Sequence, residues 1–391
     1  MTTPERATNR FVRATCRWGV GALMLAPLVL APLAMYQRSP PRDAALLALG
    51  GLYLALLGLL VAVIFHEIGH AVAARLSGGT ILRFMVGSIW WTNRRRGGRL
   101  SFRFALTGPS GLVMVIPDLE KPVRRQMIAM ILGGPAANLV LALLTAVCIA
   151  PLMHQSLLAG VVGLSFLACN AVMGLGNMLP IGKTLPSDGS QFWLWWKHPE
   201  RCVEERRSLE ISGRLLRGET AATLPYTELQ TLAQSEKPAR RFLMGYLLLK
   251  RAQEMRDRVE FDRLYAAYSK DNAGLDAAQR KAVAALWACF HYEQAYERAL
   301  DGSPELAHRL MVQKAWKKIP GRFRWRVEAA VALNAGQYDE AQRLFLKLRK
   351  EIDGELEVAT RITESVMLEE MQRRCREALA ARAQGSVSNP S

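Results

Sequence analysis

The chain of 391 residues carries 51 Lys and Arg against 34 Asp and Glu, a formal charge of +17, and is 50% hydrophobic. Its mean hydropathy of +0.06 averages two unlike halves: residues 1–189 hold 17 basic and 6 acidic side chains, and the remainder holds 34 and 28. This pattern excludes a disordered chain, a collagenous repeat and a single soluble globule, and leaves a membrane domain joined to a soluble one. The six cysteines are scattered without a CxxC pair, which excludes a disulfide framework and a thiolate zinc site and points to a reducing compartment. The excess basic residues of the first half lie in loops beside apolar runs, where they orient a membrane protein. No nucleic-acid-binding module accompanies them, so nucleic acid is not an expected partner.

Taken in chain order, residues 1–43 hold Arg6, Arg10, Arg13 and Arg17 and then the uncharged run Trp18–Gln37. That run reads as a retained first span, because Ala31-Pro-Leu-Ala34 does not make an A-x-A cleavage site. Ala44–Phe65 is a second span of the length a bilayer core requires. Gln126–Gly182 contains no Lys, Arg, Asp or Glu. It is too long for one crossing and divides at Pro151–Ser156 into spans near 127–150 and 157–179. The Lys/Arg bias puts both termini, and the long basic loop between spans two and three, on the cytoplasmic side. Within that loop Ile81–Trp91 and Leu100–Leu106 read as strands around an Asn93–Gly98 turn, and Ser110–Ile116 as a further strand.

The chemistry sits at the inner end of the second span, in His66-Glu67-Ile68-Gly69-His70. Histidines at i and i+4 share one helical face and can hold one zinc ion, and a glutamate after the first can take a proton from water at the open position. Glu67 stands within an apolar stretch, where an ionisable side chain is a functional candidate. A catalytic zinc needs a third protein ligand. Among the few acids of this half, Asp188 follows the fourth span in a segment whose prolines and glycines let the chain turn back. Asp118 is its rival.

These residues, together with Gly133-Gly-Pro135-Ala-Ala-Asn138 at the start of the third span and Asn177-Met-Leu-Pro180 leading to Asp188-Gly189, resemble the site-two protease family of intramembrane zinc metalloproteases. The resemblance covers about residues 44–197. It implies His66, His70 and Asp188 as ligands of one Zn2+ and Glu67 as catalytic base, with Asn138 and Asn177 near the substrate backbone or its oxyanion. The family's segment reads Leu-Asp-Gly soon after the proline, whereas this chain has Ser187-Asp188-Gly189 after a longer interval. Asn170 shares a face with Asn177 and reads as an interhelical hydrogen bond.

Beyond the aromatic cluster Phe192–Trp196, residues 198–382 follow helical periodicity, with Val327–Ala341 resembling one tetratricopeptide unit and Leu286–Ala299 a fainter one. Residues 383–391 read as a disordered tail. The expected architecture is mainly α. It consists of a polytopic membrane domain of about four spans with a small β-hairpin loop (core 44–197) and a C-terminal α-helical, repeat-like cytoplasmic domain. The expected function is cleavage of transmembrane segments of single-pass proteins near the cytoplasmic side of a bacterial inner membrane, with an exposed strand of the 81–106 hairpin holding the unwound substrate. The lipid bilayer is the medium, and a protein partner is expected at the helical domain. The competing reading is a non-proteolytic zinc-binding membrane adaptor. Glu67 argues against it, because a purely structural zinc needs no base.

Overall fold

The computed structural model describes residues 44–102, 111–155, 157–180, 187–312 and 321–387. The span at Trp18–Gln37, the end of the Leu100–Leu106 strand, the segment 181–186 and residues 388–391 lie outside the described residues, while 383–387 of the expected disordered tail are helical. The chain divides into two compact units, the first running to Leu209 except for Arg94–Gly97, which group with the second unit from Glu210 onward.

In the first unit, helix α1 is Ala44–Leu76, rich in Ala, Leu, Val and Ile and including the His-Glu motif. It stops where Gly78 takes φ +98°, the left-handed conformation that glycine adopts without steric penalty, and Gly79 N–H closes back onto Ala74 O at 2.9 Å. Helix α2 is Val123–Gln155 and α3 is Leu157–Met178. The sequence places a break from Pro151, yet α2 continues through it to Gln155. A proline removes only one ladder bond, which a membrane helix tolerates. Among the described residues two helices are long and apolar enough to cross a bilayer, Leu49–Leu76 and Val123–Ile149; the apolar stretch Val162–Met178 is shorter. Helices α1 and α2 cross closely because Gly69 and Gly133 face each other, each leaving no room for a Cβ against the other's carbonyl.

Between α1 and α2 lies one antiparallel sheet of β1 (Thr80–Val86), β2 (Ile89–Thr92), β3 (Arg99–Phe102) and β4 (Gly111–Ile116), in the order β3-β2-β1-β4. The expected single strand Ile81–Trp91 is two, because Gly87 at φ +54° turns the chain and pairs Val86 with Ile89. The Asn93–Gly98 segment joins β2 to β3, and β4 adds on the far side of β1. The amphipathic helix α4 (Asp188–Lys197) follows, with Trp195 buried against Val123, Ile131 and Cys202. Helix α5 (Val203–Arg217) continues from it into the second unit.

The second unit is all helical: α6 (Tyr226–Leu232), α7 (Pro238–Glu254), α8 (Arg258–Gly274), α9 (Ala277–Leu300), α10 (Glu305–Met311), α11 (Gly321–Asn334), α12 (Tyr338–Asp353) and α13 (Val358–Val387). Helix α9 contributes Val283 and Phe290 to one apolar core and Tyr292, Ala295 and Tyr296 to another. Its course corrects the fainter repeat at Leu286–Ala299, which is one continuous stretch of α9. With neither Gly nor Pro there, nothing ends the helix. The α11–α12 hairpin does turn at Gly336, at φ +71°. Where α9, α11 and α13 meet, Arg326 is fully buried between Glu293 at 2.7 Å and Glu364 at 2.6 Å. Lys250 approaches Glu293 at 3.4 Å.

Candidate metal centre

His66 and His70 project one turn apart from α1, their rings edge to face with centroids 4.6 Å apart. Their Nε2 atoms are 3.1 Å from each other. Asp188 Oδ2 is 3.0 Å from the first and 3.5 Å from the second. Asp188 reaches them as the first residue of α4. Ser187 caps that helix by accepting from Ser190 N–H, and Gly189 lies so close to Met178 O at the end of α3 that a Cβ would not fit. Gly134 gives the His70 ring its place for the same reason.

Hydrogen bonding fixes which ring nitrogens carry protons. His70 Nδ1 is 2.7 Å from Met130 O, an atom that can only accept. The Gly134 N–H at 3.3 Å from the same nitrogen is the longer contact and gives way to it. His66 Nδ1 is 2.6 Å from Asn138 Oδ1. Both Nδ1 atoms are therefore donors, and both neutral rings turn an Nε2 lone pair into the same space. An aspartate carboxyl is ordinarily ionised at neutral pH, so Asp188 Oδ2 adds a third electron-pair donor to that space. Three electron-pair donors within 3.5 Å of one another could hold a cation between them. A proton can bridge two of the three; a metal ion satisfies all. Ligand bonds of 2.0–2.2 Å in a tetrahedral site separate the donor atoms by about 3.3 Å, and the three observed spacings bracket that value. His66, His70 and Asp188 are the one cluster of this kind among the described residues.

Glu67 is largely buried and faces the sheet. Gly111, which opens β4, approaches its carboxylate so closely that any side chain there would collide with it. Asn177 points its Nδ2 toward His66 Nε2 at 3.2 Å. Asn138 is fully buried, and its whole amide is engaged. Nδ2 donates to Ala62 O and to Asn170 Oδ1, both at 2.9 Å, while Oδ1 accepts from His66. Of the two asparagines expected near substrate, only Asn177 turns its amide toward a ligand atom, His66 Nε2. Asp118 lies apart from this cluster; it accepts from Glu120 N–H at 3.1 Å and helps form the turn before α2. Two contributors carry no sequence signal. Gly111 looks like any glycine at a strand end. Arg124 looks like a topogenic charge, yet it donates to Trp195 O and Trp196 O at 3.0 and 2.8 Å and so anchors the helix that presents Asp188.

Two histidines of α1 and the aspartate that opens α4, with a buried glutamate beside them, could hold a metal ion. No curated protein and no solved structure matches the chain. The family model of peptidase family M50 matches residues 54–367, from within α1 to within α13. The chain therefore belongs to peptidase family M50, the site-2 protease family of membrane-embedded metallopeptidases.

Proposed function

We propose that the protein is a zinc endopeptidase that cuts transmembrane segments of single-pass membrane proteins near the cytoplasmic face, in regulated intramembrane proteolysis. The observation that carries this reading is the convergence of His66 Nε2, His70 Nε2 and Asp188 Oδ2 beside Glu67 on a membrane-type helix. When bound there, zinc lowers the pKa of coordinated water and polarises a peptide carbonyl. Glu67 receives the proton of the attacking water and passes it to the leaving amide nitrogen. The Asn177 side-chain amide donates to the carbonyl oxygen as it turns tetrahedral. Asn138 acts behind His66 rather than on substrate.

The substrate must enter extended, because a helical amide is hydrogen-bonded and covered. Strand β4 is an edge of the sheet, and its first residue abuts Glu67. An extended segment added along that edge would bring an amide to the base. The other edge of the sheet, β3, belongs to the hairpin expected from the sequence to take this part and is separated from β4 by β2 and β1. The proposal includes four spans, with the first at 18–37, both termini on the cytoplasmic side of a bacterial inner membrane, and the helical unit as a surface for a protein partner. The distribution of Lys and Arg supports it.

The test is a purified model transmembrane substrate incubated with wild type and Glu67→Gln. Wild type is expected to cleave. The variant should lose on the order of 10³-fold in rate while retaining zinc. Equal cleavage by both, or no cleavage by zinc-loaded wild type, would reject the reading.

A further inference from the structure

The metal cage is held from behind by side chains whose orientations are dictated one after another by backbone carbonyls. Asn170, fully buried in α3, donates its Nδ2 to Phe166 O at 2.9 Å. A carbonyl only accepts, so the amide cannot be flipped, and Oδ1 points away from Phe166 toward α2. There it accepts from Asn138 Nδ2 at 2.9 Å. Asn138 is thereby fixed as well, since both partners of its Nδ2, Ala62 O and Asn170 Oδ1, are acceptors. Its own Oδ1 is left to face His66 Nδ1 at 2.6 Å. His66 Nδ1 must then carry the proton, and Nε2 presents its lone pair to His70 and Asp188. The order runs from α3 through α2 to α1 without a free rotor.

We propose that Asn170 is a positioning residue for the metal site: through Asn138 it enforces the Nδ1–H tautomer of His66 and so sets the affinity for zinc. Asn170 touches neither ligand atoms nor the space between them. Its Oδ1 is one of two acceptors that orient the Asn138 amide, the other being Ala62 O. Without it, Ala62 O alone holds the Asn138 amide, and turning the NH2 toward His66 breaks one hydrogen bond instead of two; that turn favours the Nε2–H tautomer and removes a ligand lone pair. Outer partners of metal-binding histidines commonly change affinity by 10–100-fold.

The inference rests on the metal reading of His66, His70 and Asp188, and its test separates the two. Full-length protein in detergent is titrated with Zn2+ against a competing chelator. In parallel, the zinc-free protein is labelled with 15N-histidine and the ring tautomers are read by NMR, with six histidines to assign. In wild type the zinc-free His66 is expected as Nδ1–H. Asn170→Leu should weaken zinc about tenfold or more and populate Nε2–H at His66. Asn170→Asp, neutral at this buried position, can donate to Phe166 O and accept from Asn138, and should stay within about threefold of wild type. Should the leucine variant fail to fold, the wild-type tautomer and the aspartate variant still decide. An Nε2–H ring in wild type, leucine-variant affinity equal to wild type, or an aspartate variant as weak as the leucine one would overturn the inference. Wild type that binds no zinc through His66 and His70 would instead remove the metal reading beneath it.

Discussion

Both units bury ionisable side chains, in opposite ways. In the helical unit the cationic Arg326 and Lys250 stand among the anionic Glu293 and Glu364, so the protein supplies its own counter-charge. In the membrane unit His66, His70 and Asp188 turn lone pairs toward one another, and no Lys or Arg is paired with that cluster among the described residues. The first arrangement balances its charges where α9, α11 and α13 meet, although Arg326 Nε and Glu364 Oε2 have no hydrogen-bond partner among the described residues. The second could hold a cation from outside. A buried polar cluster thus points to a site when its charges do not balance, and to a structural joint when they do.

The comparison is sharpened by removing one charge from each cluster. Asp188→Asn takes the anion from the cage and is expected to weaken zinc by more than the 10–100-fold of an outer-shell change and to abolish cleavage. Zinc titration and substrate assays check it, and the thermal transition of the helical unit should not move. Arg326→Met removes the guanidinium that bonds both buried carboxylates, Glu293 and Glu364. It should destabilise the helical unit by about 3–5 kcal/mol in denaturant unfolding of the full chain and leave zinc stoichiometry unchanged. If the two variants exchange effects, the contrast drawn here is wrong.

Chelation gives a smaller, selective change. With zinc initially at about 100 times its dissociation constant, its removal withdraws about 2.7 kcal/mol from the membrane unit and nothing from the helical one. Hydrogen exchange resolved by segment would read this as faster exchange in α1, α2 and α4 alone. The mildest perturbation is acid. Burial acts to raise the Glu293 carboxyl, but Arg326 and Lys250 outweigh it and hold the group below its ordinary 4.5. A carboxyl depressed on folding contributes stability that is present above its unfolded value and lost as pH falls below it. The melting temperature of the helical unit should therefore fall as pH drops from about 5 toward 3, and Glu293→Gln should flatten that slope.

Much of the site was legible in the chain because it depends on local spacing. The interval between His66 and His70 fixes a shared helical face whatever surrounds it, and the charge-poor background makes Glu67 and Asp188 conspicuous. Less of the fold was legible. Pro151 reads as a break because a lone helix would kink there, yet α2 runs on to Gln155. Ile81–Trp91 reads as one strand because the turning power of Gly87 shows only once β1 and β2 pair. Leu286–Ala299 reads as a repeat because apolar spacing alone does not distinguish a hairpin from one long helix.

Sequence by itself determined the two-part character of the molecule and the residue types that can hold a metal, since apolar runs, charge density and an i, i+4 pair are properties of neighbours along the chain. Only the tertiary structure decided that Asp188 rather than Asp118 faces the two rings, and that Asn138 is spent on His66 while Asn177 remains turned to the cage. It also decided that Gly111 brings a sheet edge against Glu67. Each of these is a matter of where a lone pair or a missing Cβ points across 40 or more residues of sequence, and that direction is set by helices and strands packing together.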